Sequence, residues 1–215
     1  MKIAKYQPTF RRAARLGVLT GCTLVSLVAA PKLGAAADAW TVVQGSGPAV
    51  HQLANGQSTP LKIGDIVAEG DSVQTGPDGR WVLQHHEHAD TVTVSPGSQF
   101  RIPDPHRESA VAAVVQSMGT LLFDVEHTPG RRFEVDGPYL AAVVKGTSFT
   151  VAVTPGGSTV NVTRGAVEVQ SPMTHGTALV GPGQFAAVAA SGRHELSVGR
   201  SQTSAVPTRP LFDQS

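Results

Sequence analysis

From Thr41 onward the chain is built of short runs in which apolar and polar residues alternate, each run ended by glycine or proline. Alternation of period two predicts half-buried β-strands, with one face toward a core and one toward solvent. Thr41-Val42-Val43 and Ala49-Val50 open the series, and Gly45-Ser46-Gly47-Pro48 separates them. Asn55-Gly56 predicts a tight turn, since both residues tolerate positive φ. Segments 61–65, 66–71 and 72–76 follow, then the turn tripeptide Pro77-Asp78-Gly79. Trp81-Val82-Leu83 and Thr91-Val92-Thr93-Val94 predict two strands flanking a histidine-rich segment. Residues 108–117 hold no breaker and predict one helical turn or a further strand. Pro155-Gly156-Gly157 closes a hairpin between residues 149–153 and 159–163.

One local pattern recurs within this series. Gly146-Thr147-Ser148-Phe149-Thr150-Val151, Gly165-Ala166-Val167-Glu168-Val169 and Gly183-Gln184-Phe185-Ala186-Ala187-Val188 each set a glycine ahead of an alternating run. The glycines are 19 and then 18 positions apart, and Gly119 begins an earlier copy 27 positions upstream of Gly146. Near-constant spacing of this kind predicts stacked short strands. No long amphipathic stretch appears, and 23 glycines with 15 prolines make turns dominant. The expected fold is therefore all-β: one domain over residues 38–200, of short glycine-punctuated strands stacked like the rungs of a β-solenoid. A β-sandwich or roll is the alternative. Gly119, Gly146, Gly165 and Gly183 are expected to be structural turn positions. Residues 201–215 are polar and proline-bearing, which predicts a disordered tail.

The first 37 residues change the picture. They carry Lys2, Lys5, Arg11, Arg12, Arg15 and Lys32 but no acid, with an apolar run from Leu16 to Ala30 and small residues Ala35-Ala36-Ala37 after it. A basic start, a short apolar segment and small residues at the exit predict a secretory signal peptide over residues 1–37, cleaved after Ala37. An uncleaved anchor is the alternative, although fifteen residues before Pro31 fall short of the roughly 20 that a spanning helix needs. Leu19-Thr20-Gly21-Cys22 resembles a lipobox, but Arg15 stands too close for an apolar region to precede it, so Cys22 reads as part of that region. Six of the 17 basic residues leave with the leader, so 11 face 16 acids, a net of −5. A mildly acidic product is a poor partner for nucleic acid. The single cysteine leaves as well, so no internal disulfide can form and core burial must supply the stability. The expected location is periplasmic or secreted, with no membrane span once the leader is removed.

Several pieces, taken in order, resemble the FecR domain, the extracytoplasmic module of iron-dicitrate-type cell-surface signalling regulators and of many secreted proteins. They are Gly64-Asp65, Gly70-Asp71 and Thr75-Gly76-Pro77-Asp78-Gly79, then Val92-Thr93-Val94-Ser95-Pro96-Gly97-Ser98. Gly119-Thr120-Leu121-Leu122-Phe123-Asp124-Val125, Arg132-Phe133-Glu134-Val135 and Val144-Lys145-Gly146-Thr147-Ser148-Phe149 continue the series. Gly165-Ala166-Val167-Glu168-Val169 and Gly181-Pro182-Gly183-Gln184 complete it. The glycines fit turns, and an Asp after Gly can bond nearby backbone. The resemblance implies a non-catalytic exported module with a binding, sensory or scaffolding role at the bacterial envelope, whose partner is an envelope protein or glycan. In regulators of this type a cytoplasmic sigma-binding segment precedes one membrane span. With fifteen residues ahead of Leu16, the expectation is the sensory module alone. An anti-sigma-type regulator held by an uncleaved leader is the alternative.

Candidate chemistry is sparse. His85-His86-Glu87-His88-Ala89-Asp90 holds the residue types that ligate Zn²⁺ or Cu²⁺, and His85, His86 and His88 are the candidate metal ligands. Between two strands, alternation would put His86 and His88 on one face and His85 with Glu87 on the other. A cupin-like metal enzyme built there would need a Glu four or five positions after the second His, where Val92 and Thr93 stand. No Gly-x-Ser-x-Gly elbow occurs. Glu134 and Asp136 share a strand face but read as a solvated edge rather than a glycosidase pair. Arg131-Arg132 could clamp a carboxylate, although beside Pro129-Gly130 an exposed turn is expected. The chain is thus expected to be no enzyme and to need no cofactor.

Overall fold

A computed structural model describes residues 39–104 and 113–201 of the 215-residue chain. The expected leader, residues 108–112 of the segment without a breaker, and residues 202–215 of the tail lie outside the described residues. The strands in chain order are β1 (Trp40–Ser46), β2 (Ala49–Gln52), β3 (Ser58–Pro60), β4 (Ile66–Val67), β5 (Ser72–Thr75) and β6 (Arg80–His85). Next come β7 (Thr91–Val94), β8 (Gln99–Arg101), β9 (Val114–Asp124), β10 (Phe133–Asp136), β11 (Ala141–Val144) and β12 (Ser148–Thr154). The last are β13 (Gly157–Arg164), β14 (Val167–Gln170), β15 (Thr177–Val180), β16 (Gln184–Ala189) and β17 (Leu196–Arg200). No helix occurs among the described residues, and residues 114–117 belong to a strand.

These strands form one hydrogen-bonded network that folds over on itself. One sheet runs β4-β1-β6-β7-β9-β12-β13-β16-β17. The second runs β3-β2-β5-β8-β9-β10-β11-β14-β15. β9 serves both, because its first half pairs β8 and β10 while its second half pairs β7 and β12. It changes sheet at Gly119, where φ is +87°.

After β9 the chain alternates between sheets one hairpin at a time: β10–β11 in the second, β12–β13 in the first, β14–β15 in the second, β16–β17 in the first. Gly146, Gly165 and Gly183 each stand where the chain passes from one sheet to the other, all at positive φ. The 18- and 19-residue spacing therefore measures one hairpin plus one crossing, not one rung of a coil. Every pairing except β9–β10 is antiparallel. The all-β expectation holds, and within it the two-layer alternative describes the ladders better than parallel solenoid rungs.

The strands alternate because each buries one face against the other sheet. β12 and β13 show strict inside–outside alternation, with Phe149, Val151, Val153, Val160 and Val162 turned inward. Aromatic rings join the layers: Phe133 of β10 meets Trp40 of β1 and Phe123 of β9, at centroid distances of 6.2 and 5.8 Å. Phe123 also stacks on Phe149 at 5.1 Å. Such pairs add about 0.5–1.5 kcal/mol each beyond area burial. Gln116 crosses the core, its Nε2 donating to the carbonyls of Gly119 and Val151.

Candidate functional site

The histidine segment forms the turn of the β6–β7 hairpin, as expected, but its side chains are arranged differently. His85 is buried edge-on against Trp40 at 5.1 Å, and His88 stacks on His85 at 4.9 Å. His86 and Glu87 are exposed. Residues 86–89 are bends, so strand alternation stops at His85 and the predicted pairing of His86 with His88 does not form. His85 Nδ1 accepts the Glu87 amide at 3.2 Å, which commits that ring nitrogen. No group of three or more His, Cys, Asp or Glu among the described residues is arranged to hold a metal ion.

Two buried carboxylates hold the fold from within. Asp71 accepts from His51 Nε2 at 2.9 Å, from the Ala54 amide at 2.8 Å and from the Ala68 amide at 3.1 Å. This extends the expectation for an Asp after Gly, since the bonded amides lie three and seventeen residues earlier. Asp90 is fully buried and accepts from the Glu126 amide and from the Arg131 guanidinium. Arg131 also covers the Phe133 ring, 5.8 Å from its centroid. Arg131 therefore does not lie free at the exposed turn that was expected, but clamps a carboxylate that belongs to the protein itself. Spacing along the chain gave no sign of this pairing, because the partners are 41 residues apart.

The outward face of the second sheet carries a surface trough lined by charged side chains. Register sets Glu134, Val143, Glu168 and Leu179 in one row across β10, β11, β14 and β15, and Asp136, Ala141, Gln170 and Thr177 in the next. On the other side of the first row stand Arg132, Lys145 and Ala166, the residues just outside these strands. Small side chains on β11 make it the floor of a trough between charged neighbours. A hollow of about 680 Å³ lies over the Asp136 row, bounded by Val115, Ser117, Pro138, Pro172 and His175. A second of about 390 Å³ lies over Val143 between Arg132, Lys145, Glu168 and Leu179. The wider end exists because the β9–β10 ladder stops after Val115 and Asp136. Gly137 then turns away and Pro138 has no amide hydrogen to continue the pairing.

Glu134 and Asp136 do not stand at the solvated edge that was expected, since β10 lies between β9 and β11. Burial pushes the Glu134 carboxyl above its ordinary pKa and neighbouring Asp136 adds to the rise, while Arg132 opposes it. Burial likewise raises Asp136, opposed by Arg101, which lies two strands away in the same row. A raised carboxyl binds more protons in the folded than in the unfolded chain, so stability falls as pH rises from about 4 through the raised values. The double variant Glu134→Gln, Asp136→Asn should accordingly melt slightly higher than wild type at pH 7, with the gain gone below about pH 4. Thermal melts across that range check this; a variant less stable at pH 7 by the same margin as at pH 3 would contradict it.

Among the described residues no helix is long and apolar enough to cross a membrane. No curated protein matches the chain. Two solved structures of a candidate anti-sigma factor from Parabacteroides distasonis are similar, each at 19% identity over 60% of this chain and 59% of that one. Their TM-scores are 0.50 and 0.49, and the likeness of the first speaks to the fold alone. The chain spans about three fifths of the solved structures it matches. Residues 71–168, from the buried Asp71 to Glu168 in the trough, match the family described as FecR protein. That match bears out, over those residues, the resemblance to the FecR domain that the ordered glycine motifs carry.

Proposed function

We propose that the protein is an exported, non-catalytic module of bacterial cell-surface signalling, which binds an envelope component and presents it to a larger assembly. The match of residues 71–168 to the FecR family carries this reading. The basic, acid-free, apolar start of the chain supports export. The disposition of the charged groups supports binding over catalysis. Asp71 and Asp90 are occupied in holding backbone and partner side chains, while Glu134 and Asp136 line an open trough. The similarity to a candidate anti-sigma factor favours a signalling assembly as the setting.

Fractionation of the native host tests the reading, with a photo-crosslinking residue placed in turn at Thr150 on the first sheet and Thr177 on the second. The expected result is processed protein outside the cytoplasm, joined from one of these faces to a single identifiable envelope component. Precursor of full mass confined to the cytoplasm, or no adduct from either face, would overturn it.

A further inference from the structure

The trough across β10, β11, β14 and β15 has a charge order along the strand direction. Arg132 and Lys145 form a cationic row, Glu134 and Glu168 flank Val143 in the next, and Asp136 flanks Ala141 in the third. Rows two residues apart on a strand are separated by about 6.8 Å. An extended chain repeats its same-side residues at that same distance, so a partner in strand conformation meets all three rows without bending. The floor is low along its whole length because β11 contributes only Ala141 and Val143 outward. Leu179, 72% exposed on the far wall, offers apolar cover for the alkyl part of a long side chain.

The charges are not balanced within the trough. Both Glu134 and Asp136 lie above their ordinary range because burial outweighs the nearby arginines. Cations brought by a partner would offset that cost.

We propose that this trough docks an extended peptide segment of an envelope partner, with an acidic residue over Arg132 and Lys145. Basic residues two and four positions along lie over Glu134–Glu168 and over Asp136. This rests on the binding role proposed above and assigns it a surface and a ligand chemistry. Recognition is by charge order on one side of a strand, so it tolerates varied sequence between the charged positions and weakens with salt.

The test is isothermal titration of the full-length protein with two blocked peptides in a Ser/Thr-rich host, one carrying Glu-Thr-Lys-Thr-Lys and the other the swapped order Lys-Thr-Glu-Thr-Glu. The first should bind roughly tenfold more tightly than the second, because swapping turns each attraction into a like-charge contact. Glu134→Gln with Asp136→Asn should shrink that preference to a few-fold, since Arg132, Lys145 and Glu168 remain, and Ala141→Arg, which fills the floor, should abolish binding while circular dichroism stays unchanged. Equal binding of the two peptides, or an unchanged preference in the double variant, overturns the proposal. Spermidine binding as tightly as the first peptide would show a simple cation site, and overturns it as well. So does wild-type self-association that is lost in Ala141→Arg, since a second copy would then be the occupant. Crosslinking to an envelope component that persists in Ala141→Arg would overturn this surface while leaving the broader reading intact.

Discussion

Replacing Gly119 by alanine is expected to cost about 3–5 kcal/mol of stability, a large share of the whole for a domain of this size. Two penalties coincide at this residue. Its φ of +87° is strained for any residue with a Cβ. A Cβ there would also stand 2.3 Å from both Cα and Oγ of Ser98. Ser98 cannot withdraw freely, because its hydroxyl donates to the Thr120 carbonyl and accepts the Thr120 amide, and its own amide donates to Thr75 Oγ1. The crossing of β9 from one sheet to the other is thus pinned on both sides. Gly183→Ala provides the comparison, since Gly183 has φ of +72° but open space where its Cβ would lie. It should lose only about 1–2 kcal/mol, the conformational part alone. Urea unfolding of the two variants measures both, and equal losses would show that the contact with Ser98 contributes nothing.

That comparison also shows what was legible in the chain. Gly119, Gly146, Gly165 and Gly183 stood out because glycine ahead of an alternating run is a local signal, and each is a turning point. Where the chain turns to is not local. β12 lies beside β9 and β13 beside β16, and nothing within residues 146–165 specifies those neighbours. The same limit applies to the candidate site. Glu134 and Asp136 share a face by simple alternation, yet their burial depends on β9 and β11 enclosing β10. Arg132, Lys145, Glu168 and Leu179 join them only through register between distant strands. For the histidines the local rule itself failed. Alternation holds as far as His85, after which four bends let His88 return onto it.

Asp90 is the buried charge on which the second large effect rests. Asp90→Ala should destabilise the protein by about 3–5 kcal/mol, the cost of breaking a buried ion pair by removing one partner. The carboxylate meets both the Arg131 guanidinium and the Glu126 amide, so its loss leaves two donors without their acceptor. Arg131→Met retains apolar cover over Phe133 but strands Asp90, which is wholly inaccessible to solvent, and should be comparably damaging. The double variant should then be clearly less damaged than the sum of the two, because neither charge remains to be compensated. Losses that simply add would show that the two groups act independently. The pair joins the end of the β6–β7 hairpin to the segment leading into β10, the strand that carries Glu134 and Asp136. Binding in the trough should therefore weaken in Asp90→Ala even where the protein remains folded, because Arg131 helps set the position of β10 from the opposite side of the sheet.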